Sequence, residues 1–131
     1  MPADSASRQF AITAARAAAE KSAHEIVALD VADRLAIVDA FVIASGSNER
    51  HVKAIVDGVA EAMHEAGAGL RRREGRGEAR WVLLDFGALI VHIQHAEDRD
   101  FYGLERLWKD CPAIDLPADV TDGTGSAETP A

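Results

Sequence analysis

Residues 81–108 read WVLLDFGALIVHIQHAEDRDFYGLERLW, and the reading of this stretch decides the fold. Alternation puts Val82, Leu84 and Phe86 on one face of a strand and Trp81, Leu83 and Asp85 on the other. Gly87 supplies the backbone freedom of a tight turn. The chain returns in a second strand, with Ile90, His92 and Gln94 on one side and Leu89, Val91 and Ile93 on the other. Asp98 is placed to cap a short helix in which Phe101, Leu104, Leu107 and Trp108 recur at helical spacing. Aromatics make up only 5% of the chain, yet both tryptophans and the single tyrosine, Tyr102, fall here. Large amphipathic rings anchor packing and interfaces, so function is sought in this stretch first.

Working outward, residues 7–23 form an alanine-rich helix with a thin apolar stripe of Phe10, Ala14, Ala17 and Ala18. Residues 25–31 (EIVALDV) are apolar on both alternating faces, as in a strand covered on both sides. A turn at residues 32–34 leads into a second strand, 35–44 (LAIVDAFVIA), paired antiparallel with the first. Asp39 interrupts that strand and is expected at an edge or beside a partner. Ser45, Gly46, Ser47 and Asn48 open a long helix, with Ser47 or Asn48 as its cap. Val52, Ile55, Val56, Val59 and Met63 repeat at the helical period and make its buried face, and Gly67 ends it. Residues 69–80 (GLRRREGRGEAR) hold a short edge strand and a loop. The order is helix, two strands, helix, three strands, helix. It predicts an α/β fold, a mixed sheet of about five strands flanked by helices. Residues 1–6 are expected to be a flexible start and 7–111 the domain. Residues 112–131 carry three prolines and four acids without one Lys or Arg, and predict a disordered acidic tail.

A chain of 131 residues with 48% hydrophobic content is one domain with a real core. No apolar run approaches the roughly 20 residues that span a bilayer. The start, MPADSASRQF, lacks a charged-then-apolar leader pattern, so the expected location is cytoplasmic. The single cysteine, Cys111, excludes an internal disulfide and a zinc site of several thiolates. A net charge of −8 disfavours generic nucleic-acid binding and attracts basic partners.

Few residues group as catalysts do. Ser45, Gly46 and Ser47 before a helix suit a phosphate, but nucleotidyl transfer also needs two acids spaced one apart on a following strand, and none is present. His92 and His95, near Glu97 and Asp98, fall on opposite sides of a strand and do not chelate together. No cofactor and no enzyme is expected. Arg71, Arg72, Arg73 and Arg76 pair well with phosphate, although Glu74 and Glu78 dilute them and no aromatic platform lies between. The face with Trp81, Leu83, Asp85 and His92 is either buried against a helix or open to a partner. Alternation leaves both readings standing. If open, its apolar residues supply burial and Asp85, Glu97 and Glu105 steer a basic partner.

Taken together, ALDVADRLAIVDAFVIASGSNERHVKAIVDGV (28–59) and the 81–108 stretch closely resemble the ribosomal silencing factor family, RsfS or Iojap. The resemblance spans residues 10–111. It rests on Asp39 before Val42 and Ile43, the SGSNERHV run at 45–52, Trp81 with Asp85, Val91 with His92, and FYGLERLW at 101–108. It implies a nucleotidyltransferase-like topology without the catalytic acids. It further implies a homodimer when free, which binds the large ribosomal subunit through that subunit's fourteenth protein and blocks joining of the small one. Partner contacts carried over by the match are Trp81, Asp85, His92, Arg99, Tyr102 and Glu105, with Leu83 added from strand parity. Apart from the match, the charge of Arg71, Arg72 and Arg73 leaves two readings, a solvated loop or a minor contact to ribosomal RNA. Two positions depart from the family pattern: Ala40, often tyrosine, and Ala88, often aspartate. The rival expectation is a nucleotide-binding enzyme built on Ser45 to Asn48.

Overall fold

A computed structural model describes residues 3–76, 80–103, 106 and 108–120, leaving out the side chains of 76 and 100–102. Its elements run α1 (Ser5–Glu20), β1 (His24–Asp30), β2 (Ala40–Gly46), α2 (Glu49–Glu65), β3 (Arg72–Arg76), β4 (Trp81–Asp85), β5 (Leu89–His95) and α3 (Ala96–Tyr102). The strands form one sheet in the order β1-β2-β5-β4-β3. Only β2 and β5 pair in parallel; the other neighbours are antiparallel. This is the mixed five-stranded α/β sheet that the element order predicts.

The core follows from two periodicities meeting. On one face of the sheet, Val82 and Leu84 of β4, Leu89, Val91 and Ile93 of β5, and Ala40, Val42 and Ala44 of β2 are buried. Against them lie Val52, Ile55, Val56, Val59 and Met63 of α2, the helical stripe expected from sequence. Helix α1 adds Ala11, Ala14, Ala15 and Ala18, whose methyl side chains let it approach closely. Gly67, at φ +88°, ends α2 in a left-handed turn that returns the Ala68 amide to the Met63 carbonyl at 2.9 Å.

Several boundaries differ from the expectation, each for a local reason. Helix α1 begins earlier, because Asp4 accepts the Ser7 amide at 2.8 Å and caps it. Residues 3–6 are therefore not a loose end, and the Ala3 amide also meets the Asp30 carboxylate at 3.0 Å. Strand β1 is an edge strand rather than one covered on both sides. Ile26, Ala28 and Asp30 are buried, while Val27 and Leu29 are only half-covered. The second strand begins at Ala40, not at residue 35. The Arg34 and Leu35 amides turn back to the Val31 carbonyl, and Asp39 donates its amide to Ala88. The Asp39 carboxylate takes the Ser7 hydroxyl at 2.8 Å, the neighbour pairing expected for it. Helix α3 is capped by His95, whose Nδ1 accepts the Glu97 amide at 3.1 Å, and not by Asp98.

The segment after Cys111 departs most from its expected disorder. The Asp30 amide donates to Pro112 O and the Ile114 amide to Ala28 O, both at 2.8 Å, so Ala113 pairs with Leu29 along the outer edge of β1. Ile114 and Val120 are buried in the main core, and Arg16 grips Asp119 at 2.8 Å. Two apolar side chains with slots to fill outweigh a polar, proline-punctuated composition. The remainder of the expected tail, residues 121–131, lies outside the described residues.

Candidate docking face

Helices α1 and α2 cover one face of the sheet, and register defines the other. Trp81 pairs with Gln94, Leu83 with His92 and Asp85 with Ile90, while Ile43 and Ser45 of β2 flank His92 and Gln94. Of the described α3 side chains, Arg99 reaches this face at Ser45. There Arg99 Nη1 donates to Ser45 Oγ at 3.3 Å and to His24 O at 3.5 Å. Trp81, Leu83 and Asp85 remain half-exposed. Of the two arrangements the alternation allowed, the open one holds for these three residues.

A row of rings crosses the face. Trp81 lies 6.1 Å from His92, His92 5.1 Å from Phe41, and Phe41 5.1 Å from Trp108, with the Arg34 guanidinium 5.3 Å over Trp108. Trp81 Nε1 donates to His92 Nδ1 at 3.2 Å, so the imidazole orients the indole. His92 is only 6% exposed, and burial pushes its pKa down to about 4. It is neutral at pH 7 and able to accept that bond. Beside the indole, Glu74, Gly75, Trp81 and Leu83 line a cleft of about 280 Å³. In the sequence Glu74 reads only as a diluent of the arginines, and Gly75 is not singled out. Their place depends on β3 pairing with β4, where Glu74 falls opposite Leu83.

The seven residues expected to touch a partner thus divide. Trp81, Leu83 and Asp85 share the open face. His92 shares it too, but lies 6% exposed and hydrogen-bonded to the indole. Arg99, 3% exposed, is used inside to fasten α3 to the sheet. Tyr102 closes α3, with its side chain outside the described set, and Glu105 lies outside the described residues altogether. The steering acids are also less bare than expected. Asp85 accepts the Gly87 amide at 2.8 Å and has Arg72 at 3.9 Å. Glu97 shares Arg80 with Asp98, at 3.2 and 2.6 Å. The apolar groups dominate this face.

Gln94 is fully buried with neither amide atom hydrogen-bonded. Each such atom costs about 1–3 kcal/mol when buried. Gln94→Leu is therefore expected to raise unfolding free energy by about 1–3 kcal/mol, measured by urea denaturation; a loss of stability would contradict this account.

The turn that suits a phosphate uses its groups internally. The Ser47 amide donates to His51 Nδ1 at 2.9 Å, and His51 Nε2 donates to the Lys21 carbonyl at 2.8 Å. Asn48 Oδ1 accepts the His51 amide at 2.8 Å, and Ser45 Oγ donates to His24 O at 3.1 Å. A Cβ on Gly46 would lie 3.0 Å from both Val52 Cγ2 and the Val52 amide nitrogen. The SGSNERHV run therefore joins the end of α1 to the start of α2. Gly46→Ala should destabilise the fold by about 1–3 kcal/mol through overpacking, read as a lower denaturant midpoint; an unchanged midpoint would show that the turn relaxes freely.

The profile of the family described as ribosomal silencing factor during starvation matches residues 4–131. This chain belongs to the ribosomal silencing factor family. A ribosomal silencing factor from Bacillus subtilis is 40% identical over 79% of this chain and 87% of its own length. One from Halalkalibacterium halodurans is 39% identical over 79% and 88%. A mouse protein named for mitochondrial assembly of the ribosomal large subunit is 30% identical over 68% of this chain and 40% of its own. Among solved structures, a Chromobacterium violaceum protein superposes with TM-score 0.74 at 29% identity, covering 84% of this chain and 92% of that one. A Bacillus halodurans protein gives 0.68 at 36% identity, covering 82% and 95%. RsfS members are thus named for an action on ribosomes, and the α/β fold is shared with solved structures at appreciable identity.

Proposed function

We propose that this RsfS member represses translation by docking on the large ribosomal subunit, through its fourteenth protein at the intersubunit face. Its bulk then keeps the small subunit away, with most effect under nutrient limitation. The observation that carries this reading is the half-exposed Trp81, braced by a neutral His92 beside Leu83, on the sheet face its own helices leave open. An oriented aromatic next to an apolar cleft is the kind of group on which protein interfaces concentrate their energy. The family name, and the name of the mouse relative, point to the same assembly.

The action is steric, made in the cytoplasm, and no bond is formed or broken. The free protein is a homodimer, and Arg71, Arg72 and Arg73, at and beside β3, add a minor contact to ribosomal RNA. The test uses purified subunits under joining conditions, read by sedimentation. Saturating protein should travel with the large subunit and deplete joined ribosomes. Full joining at saturation overturns the proposal.

A further inference from the structure

The open face has a second exposed apolar point. Ile37 is 78% exposed, and backbone bonds close the loop that holds it and tie it to the turn between β4 and β5. Val31 donates to Asp39 O at 2.9 Å, Leu35 to Val31 O at 3.0 Å and Asp39 to Ala88 O at 2.7 Å. On either side of Ile37, Leu35 and Val38 pack on the cluster of Phe41, Ile90, Leu29 and Trp108. Register places Phe41, Ile90 and Leu29 on the same face as Trp81. Ile37 therefore stands at the rim of that face, at the far end of the ring row from Trp81.

A single exposed aliphatic is ordinary on a protein surface. Its position is what matters. Among the described residues four line the cleft beside Trp81, a small part of a stable interface, which buries about 800 Å² per partner and engages roughly 20–30 residues. A partner seated on Trp81 and Leu83 must extend along the face. One direction is closed, because Gln94 and Ser45 are already buried there and Arg99 of α3 bonds Ser45. The other follows His92, Phe41 and Trp108 to the loop at residues 32–39.

We propose that Ile37, carried with Leu35 on this loop, is a second anchor of the docking face and seats in an apolar depression of the same ribosomal protein. The inference rests on the docking reading above and adds to it a second point of attachment. Two anchors at opposite ends of the face fix the orientation of the domain on its partner, which one anchor leaves free to rotate.

The test compares full-length wild type, Ile37→Asp, Ile37→Leu and Trp81→Ala for equilibrium binding to purified large subunits. Sedimentation equilibrium of each free protein runs alongside. Ile37→Asp should bind at least about ten-fold more weakly with an unchanged thermal midpoint, and Ile37→Leu should bind as wild type. Should Ile37→Asp prove poorly folded, Ile37→Ser takes its place with the same expectation. If Trp81→Ala binds weakly while Ile37→Asp binds normally, the second anchor is wrong and docking through Trp81 stands. If neither changes binding, both readings fall. A change confined to self-association would assign the loop to a contact between copies and overturn the proposal.

Discussion

Trp81→Ala lowers affinity for large ribosomal subunits by at least about thirty-fold, equivalent to about 2 kcal/mol or more. Three features combine in that expectation. The indole walls the cleft shared with Glu74, Gly75 and Leu83. Its N–H is already satisfied by His92, so it meets a partner with its orientation set. Ordering a free side chain at an interface costs about 0.5–1.5 kcal/mol, and a braced one avoids much of that cost. Circular dichroism establishes that the variant is folded, and equilibrium sedimentation with subunits gives the affinity. A folded variant that binds as wild type removes Trp81 from the anchor role.

The second large effect is on stability in acid. Folding lowers the His92 pKa from 6.5 to about 4 by burial. Between those values the unfolded chain holds a proton that the folded chain does not, so stability rises with pH across the window. The contribution is complete above about pH 6.5 and is lost as pH falls toward 4. At roughly 1.4 kcal/mol per unit, the loss across the window is about 3 kcal/mol. His92→Gln keeps a side-chain acceptor near the indole but does not titrate. Urea titrations at several pH values should show the wild type losing about 3 kcal/mol more than this variant from pH 6.5 to 4. Parallel pH profiles for the two proteins would show that burial of His92 is not felt in the folding equilibrium. The bond from Trp81 requires the same neutral ring, so docking should weaken over the acidic end of this range.

Where a residue's role depends on its near neighbours in sequence, it could be read in advance. The stripe on α2, the stop at Gly67, and the opposed faces of β4 and β5 all follow from spacing alone. The run at residues 35–38 shows the limit. Its apolar content matched a strand, but Leu35 and Val38 pack from a closed loop, and periodicity does not separate these over a few residues. Ile114 and Val120 were hidden differently, because composition averages over a segment whereas burial is decided residue by residue. At the site, parity put His92 on the correct face. Its burial depends on Phe41 and Trp81 from other strands, which spacing along one strand does not reveal. The contribution of Glu74 was illegible for the same reason, since it comes from pairing between strands.

Asp30 holds both extremities of the described chain. Its carboxylate receives the Ala3 amide and Arg8, while its own amide donates to Pro112. Proteolytic trimming at either terminus should thus be felt at the other, as faster amide hydrogen exchange along residues 28–30. A tag fused close to Ala3 would strain the same knot that retains the segment after Cys111, so the placement of a purification handle is itself a perturbation of the far end.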